Sequence, residues 1–286
     1  MEIYVIQFIH GLVYAMLLFL VASGLTLVFG MMSVLNIAHV SFYLLGAYLS
    51  YTMLQIMGNF WVALIVCPIL VAILGILMER FILRRVHAAG HVQEFVITFG
   101  ILFALNETVK WIWGSETLSA PVPKALSGSI MIMGNIYPAY RLFILFFALF
   151  ILVLLAFLLM KTRLGITVRA MVCDRDMASA LGTNTPFVFM LGMGIGCWLA
   201  GLAGVIAGPF LSYSPGMGLD ILTDCFIVTV TGGLGSLGGA VVASFLIGQL
   251  SSFGILFIPR LAIVFPFLLM AVVLIIKPSG LFGEKA

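Results

Sequence analysis

The sequence predicts an all-α fold, a polytopic transmembrane helical bundle of about eight to nine spans. Three observations carry that expectation. The first is composition: of 286 residues, 64% are apolar or aromatic and 8% are charged, with a mean hydropathy of +1.29. Soluble domains run about 45–50% apolar and about 25% charged, so this chain has too few charges to keep its hydrophobic surface in water. The second is the length of the apolar runs, several of which reach the roughly 20 residues a helix needs to cross the hydrocarbon layer. The third is that Lys and Arg cluster between runs. A soluble enzyme and a nucleic-acid partner are excluded at this stage, since a net charge of +3 gives no polyanion-binding field.

The runs fall at about 5–30, 35–57, 60–83, 94–113, 142–160, 187–208, 221–231, 240–258 and 261–277. The seventh is short and runs into glycines, which marks it as a broken or re-entrant piece. The start, Met1-Glu2-Ile3-Tyr4, lacks the basic region of a signal peptide, so the first run is expected to be a retained span. If the 161–186 connection is cytoplasmic and the runs alternate, nine basic residues (Arg80, Arg84, Arg85, Lys161, Arg163, Arg169, Arg175, Lys277, Lys285) lie inside. Four (Lys110, Lys124, Arg141, Arg260) then lie outside. This positive-inside bias gives an outside N-terminus and a cytoplasmic C-terminus. The whole chain, 1–286, is expected to form one transmembrane domain. The outer connection 114–141, with Pro121, Pro123 and Pro138, is expected to be an irregular loop.

The 161–186 connection is far more polar than its surroundings. Val168, Met171, Val172, Ala178 and Leu181 recur at helical spacing, and Gly182 suits a C-terminal cap. Thr185-Pro186 suits an N-cap followed by proline at the first helical position. One short amphipathic helix is expected. Two readings stay open: a connector lying on the lipid, or a docking element for a soluble partner.

Glycine patterns follow. Gly192, Gly196, Ala200, Gly204 and Gly208 repeat every fourth residue, the spacing that lets a neighbouring helix backbone approach closely. Gly232-Gly233-Leu234-Gly235-Ser236-Leu237-Gly238-Gly239 contains a formal GxGxxG, but no strand precedes it and no Lys-Ser/Thr follows, so nucleotide binding has no support. It reads as a helix break with tightly packed backbone. A similar break spans 29–39, and each break leads into a Ser-Phe followed by Gly (Ser41, Phe42, Gly46; Ser244, Phe245, Gly248), which hints at an internal repeat.

Polar residues inside spans are few, and each is a functional suspect. Asn36 and His39, a helical turn apart, face either an inner cavity or a packed core. Glu107 and Lys110 suit an interfacial ion pair, and Asp220 and Asp224 suit either a helix N-terminus or a role near the outer mouth. Tentative pathway residues are Asn36, His39, Ser41, Gly232, Gly233, Gly235 and Ser236. No nucleophile–base pair, Walker motif or carboxylate relay stands out. Four cysteines (Cys67, Cys173, Cys197, Cys225) have no metal or disulfide spacing, and no metal or cofactor is expected.

Taken together, a set of segments resembles the inner-membrane permeases of bacterial branched-chain amino-acid ABC importers over nearly the whole length. They are Gly24-Leu25-Thr26-Leu27-Val28-Phe29-Gly30, Leu35-Asn36-Ile37-Ala38-His39 with Leu45-Gly46-Ala47-Tyr48, and Arg163-Leu164-Gly165 with Arg169-Ala170, Asp174, Ala178 and Gly182. The glycine-rich 232–240 stretch and the ending Pro278-Ser279-Gly280-Leu281-Phe282-Gly283 complete it. The resemblance implies an ABC importer permease fold with a homologous second permease, two cytoplasmic ATPases and a periplasmic solute-binding protein. It also implies that Arg163, Gly165, Arg169, Ala170, Asp174, Ala178 and Gly182 lie in the segment that couples to the ATPase. Similar permeases commonly follow His39 with Gly-Glu, whereas Val40-Ser41 stands here. The substrate stays open among branched-chain amino acids, urea, short amides and aromatic acids. The competing class is an ion-coupled secondary transporter; a passive channel or intramembrane enzyme ranks below both.

Overall fold

The structure, a computed structural model, describes residues 2–32, 36–87, 90–132 and 134–283. Ser33, Val34 and Leu35 of the first break and Lys285 of the charge count lie outside the described residues. Seven helices are long and apolar enough to cross a membrane: α1 (Glu2–Met32), α2 (His39–Met57), α3 (Phe60–Val86), α4 (His91–Trp113), α5 (Ala139–Lys161), α8 (Thr185–Leu211) and α10 (Leu237–Phe257). Between α5 and α8 stand two short helices, α6 (Arg163–Cys173) and α7 (Arg175–Ala180). Two shorter helices, α9 (Met217–Gly232) and the apolar α11 (Val264–Ile276), complete the bundle.

The hydrophobic core is built on α1 and α8, which are buried along most of their length, while α4 and α5 turn most of their residues outward. The reason is steric. The five-residue small stripe on α8 is buried throughout, and each of its four glycines meets a different neighbour. Gly192 faces the Met31 thioether, Gly196 the Gly24 carbonyl, Gly204 the Tyr43 carbonyl and Gly208 the Tyr213 ring. Small residues there let α1 and α2 approach α8 backbone to backbone, where dispersion replaces the hydrophobic drive that lipid does not supply. Outward faces carry large apolar side chains such as Phe146, Phe150 and Phe157, as a lipid-facing surface requires.

The seventh run is longer than expected. α9 spans 16 residues, about 24 Å at 1.5 Å per residue. Its start carries Asp220 and Asp224, the latter bonded to Tyr14 of α1, and its end packs against Gly239 at the start of α10. It is one continuous helix and not a broken piece.

Three local expectations are corrected. The outer connection is not wholly irregular: β1 (Ser129–Ile132) and β2 (Asn135–Pro138) form an antiparallel hairpin, in register Ile130 with Tyr137 and Met131 with Ile136. Alternating Ile and Tyr residues and a left-handed Gly134 (φ +84°) suit strand and turn. The polar connection is two helices and not one, because Asp174 leaves helical geometry (φ −155°, ψ 102°) and its carboxylate accepts from the Met177 N–H at 2.9 Å. An Asp in that position caps a new helix better than it continues an old one. The N-cap of α8 is Asn184, one residue before the expected Thr185; its side-chain oxygen accepts from the Phe187 N–H at 3.2 Å.

Candidate functional site

One end of the bundle is shaped by α6 and α7. Thr162 caps α6 through the Gly165 N–H at 3.2 Å, and a Cβ on Gly165 would collide with the Leu159 carbonyl, so the α5–α6 turn closes tightly only with glycine. Val168, Met171 and Ala178 are buried against the bundle. Arg163, Arg169, Ala170, Asp174, Arg175 and Asp176 are exposed. So are Leu164, Ile166, Val172, Met177 and Leu181, the last 80% exposed. Gly182 adopts φ +90° and closes α7, with the Thr183 N–H donating to the Ala178 carbonyl at 3.0 Å. The element is fixed at its base and uncovered on its other face.

Next to it lie two buried carboxylates and a half-buried histidine. α3 widens into a π turn at Glu79–Leu83, a distortion frequent at functional sites. His87 stands between two carboxylates, its Nε2 2.9 Å from Glu79 and its Nδ1 bonded to Glu94. Glu79 and Glu94 are 1% and 2% exposed. Burial pushes the His87 pKa down, but the hydrogen bonds and charges of Glu79 and Glu94 outweigh it and hold the imidazole above its ordinary range. Arg175 of α7 lies over the Phe189 ring at 4.7 Å, and that ring packs edge-on against His87.

At the opposite end, a cavity of about 970 Å³ opens between α1, the start of α5, α9, the end of α10 and the 259–267 segment. Its polar lining comprises Gln7, His10, Tyr14, Arg141, Asp220 and Asp224, with Thr223, Ser251 and Ser252. The Arg141 guanidinium donates to His10 Nε2 at 2.6 Å, and the Tyr14 hydroxyl donates to Asp224. Ser252 donates to the Gln7 carbonyl at 2.7 Å and so ties α10 to α1 along the wall.

A long apolar bundle, an exposed polar element at one end and a charged cavity at the other fit a permease. The chain matches, over residues 7–274, the family described as branched-chain amino acid transport system / permease component. This chain belongs to that family. The high-affinity branched-chain amino acid transport system permease protein BraD of Pseudomonas aeruginosa is 27% identical over 98% of this chain and 96% of its own length. The LivH permease protein of the corresponding system in Salmonella typhimurium is 26% identical, covering 97% of this chain and 95% of its own. A probable branched-chain amino acid transport permease protein LivH of Methanocaldococcus jannaschii is 27% identical over 96% and 90%. No solved structure matches.

In this permease the tentative pathway residues separate. Asn36 and His39 are buried in helix packing, where Asn36 Nδ2 lies 3.6 Å from the Met193 sulfur and His39 Nε2 lies 3.1 Å from the Val21 carbonyl. Ser41 donates weakly to the Leu102 carbonyl at 3.4 Å. Gly232 packs on Gly239, Gly233 on Gly283 and Gly235 on Gly30, while Ser236 caps α10 through the Gly239 N–H at 3.1 Å. None of these lines the charged cavity. Glu107 and Lys110 form an exposed ion pair at 2.5 Å.

Sequence reasoning on the permease passed over Gln7, His10, Tyr14 and Arg141, and the Glu79–His87–Glu94 trio. Asp220 and Asp224 were visible as a pair, and Arg141 stands as an isolated charge at the start of an apolar run. Nothing local joined them, since the cavity wall draws on positions from 7 to 267.

Proposed function

We propose that this permease is the membrane subunit of an ATP-driven importer for branched-chain amino acids or a related small solute, with no catalytic activity of its own. It pairs with a homologous permease in the bacterial inner membrane, receives solute from a periplasmic binding protein and is driven by two cytoplasmic ATPases. The names of its relatives support the substrate class. The observation that carries the reading is the α6–α7 element. Five large apolar side chains are uncovered there among Arg163, Arg169, Asp174 and Arg175, on a two-helix element whose Val168, Met171 and Ala178 are buried against the bundle. Such a surface suits a groove on a soluble partner.

The ATPase would act by differential affinity: its nucleotide states favour different permease conformations, and α6–α7 transmits the preference. In this reading α6–α7 and the C-terminus are cytoplasmic, and the N-terminus and charged cavity face outward. Residues Asn36, His39, Ser41, Gly232, Gly233, Gly235 and Ser236 then act at helix crossings that shift during access change. Depleting ATP in vesicles while ion gradients are kept tests the proposal. Uptake should stop; uptake that continues undiminished supports an ion-coupled transporter instead.

A further inference from the structure

We infer that the charged cavity is a binding site for an α-amino-acid zwitterion, with Arg141 taking the carboxylate and Asp224, aided by Asp220, taking the ammonium group. The inference rests on the proposed function and narrows it, because it selects among the solutes that the sequence leaves open.

Three charges in the cavity have no ion-pair partner among the described residues. Among the described residues the ion pairs are Glu79–His87, Glu94–His87, His91–Glu94 and Lys110–Glu107, and none involves Arg141, Asp220 or Asp224. Yet all three line one cavity near the end of an apolar bundle. Arg141 donates to His10 Nε2, which fixes that nitrogen as an acceptor and leaves the guanidinium its full charge. The guanidinium is also held over aromatic faces, 5.0 Å from the Phe210 ring centre and 5.9 Å from Tyr137. A planar fork fixed in this way retains further N–H donors for a carboxylate.

On α9, Asp224 is half-buried and one of its oxygens accepts from Tyr14, which orients the carboxylate and leaves the other oxygen without a hydrogen-bond partner among the described residues. Asp220 lies one turn earlier on the same face of α9 and is exposed. Opposite charges thus line one cavity from different helices, α5 and α9, and form no ion pair with each other.

Physical chemistry then selects the ligand. A simple cation meets Arg141, and a simple anion, including an aromatic acid, meets the aspartates. A neutral amide or urea leaves formal charges desolvated without a counter-charge, which is costly. A zwitterion satisfies both signs and remains neutral overall. Its side chain has a place too, since Leu219, Ile255, Ile263, Pro266 and Phe267 form the apolar part of the lining. A cavity of about 970 Å³ is at the upper end of small-molecule sites, which run about 300–1,000 Å³. It therefore leaves room for water or for a contribution from a second permease.

Thiol protection tests the site in membranes of the native host, where any partners are present. Cys173 is the exposed one of the four native cysteines, so the background is Cys173→Ser, and Thr223→Cys on the cavity wall is the reporter for N-ethylmaleimide. L-leucine should slow labelling; 4-methylpentanoate, which lacks the ammonium, and 3-methylbutylamine, which lacks the carboxylate, should not. Arg141→Gln and Asp224→Asn should each raise the leucine concentration for half-protection about tenfold or more, as loss of a charged hydrogen bond implies. Ser251→Cys is a second reporter on another wall, so failure of one variant to fold does not decide the result. Equal protection by all three compounds, or no protection by leucine at either reporter, overturns the site. ATP-dependent leucine uptake without protection overturns the site alone. Leucine protection with uptake that survives ATP depletion supports the site and overturns the ATP-driven reading alone.

Discussion

Gly46 of α2 and Gly201 of α8 stand backbone to backbone: a Cβ on Gly46 would lie 2.6 Å from the Gly201 Cα and 2.8 Å from its carbonyl carbon. Neither atom can swing aside as a side-chain tip can, so the two helices would have to separate. Gly46→Ala should therefore lower stability by about 1–3 kcal/mol, the range for overpacking a tight contact. Thermal unfolding of the detergent-purified protein, followed by tryptophan fluorescence, measures it. Gly100→Ala on α4 is the matched control, because nothing lies within 4 Å of its added Cβ. A helical glycine in open space should gain up to about 1 kcal/mol on becoming alanine. Equal shifts for the two variants would show that the crossing is loose.

Arg169 and Ala170 are exposed, whereas Gly165, four and five residues earlier, is walled in by Leu158 and Leu159. The consequences of substitution should divide accordingly. Arg169→Glu and Ala170→Asp should abolish co-purification with the ATPase while leaving thermal stability within about 0.5 kcal/mol, as at other surface positions. Gly165→Ala should destabilise the α5–α6 turn itself. Retained ATPase association in both surface variants would refute the docking role of α6.

The Glu79–His87–Glu94 trio ties the end of α3 to α4 beside Arg175 of α7, so its charge state bears on how firmly that end of the bundle is held. His87 titrates above its ordinary 6.5 in the fold, because Glu79 and Glu94 outweigh burial. Its stabilising contribution is then fully present below about pH 6.5 and is lost as pH rises through the raised folded value. Hydrogen exchange in the 79–94 region should accelerate across that upper window. His87→Gln should remove the pH dependence and cost about 1–3 kcal/mol at low pH, since two buried carboxylates lose their cation. An unchanged pH profile in the variant would assign the effect elsewhere.

Much of this was legible in the sequence because membrane spans are written locally. The run read as 142–160 is α5 at Ala139–Lys161, and the stripe of small residues at every fourth position on α8 does mark the helix contacts. Gly182 was legible as a helix stop because a left-handed residue has a local chemical signature. Asp174 misled, since a polar residue within an amphipathic pattern looks the same whether it continues a helix or caps the next. The charged cavity was not legible at all. Arg141 and Asp224 are 83 positions apart on different helices (224 minus 141), and only packing of α5, α9 and α10 around α1 brings them to one cavity.

The two glycine-rich motifs at 232–240 and 278–283 look unrelated in sequence, but they form one joint. The Leu281 N–H donates to the Thr231 carbonyl at 2.8 Å and the Phe282 N–H to the Gly232 carbonyl at 3.0 Å. The final carbonyls of α9, which its own helix cannot satisfy, are thus capped by the C-terminal strap. Gly280 makes the strap possible: it sits at φ +79°, and a Cβ there would lie 2.6 Å from the Gly233 Cα and 2.7 Å from the Val230 carbonyl oxygen. Gly280→Ala combines backbone strain, about 1–2 kcal/mol for a side chain in the left-handed region, with a collision against backbone. The strap should detach, and a tag fused after residue 286 should become protease-sensitive together with the 278–283 segment. Gly235, in the turn that the strap braces, packs on Gly30 of α1 and shares an apolar cavity wall with Arg169. Loss of the strap should therefore also weaken ATP-driven uptake, without removing the ATPase from the assembly. Gly238→Ala, with nothing within 4 Å of its added Cβ, should leave both readouts at wild-type level. If Gly280→Ala matches it, the strap is only a tail and the joint does not bear on coupling.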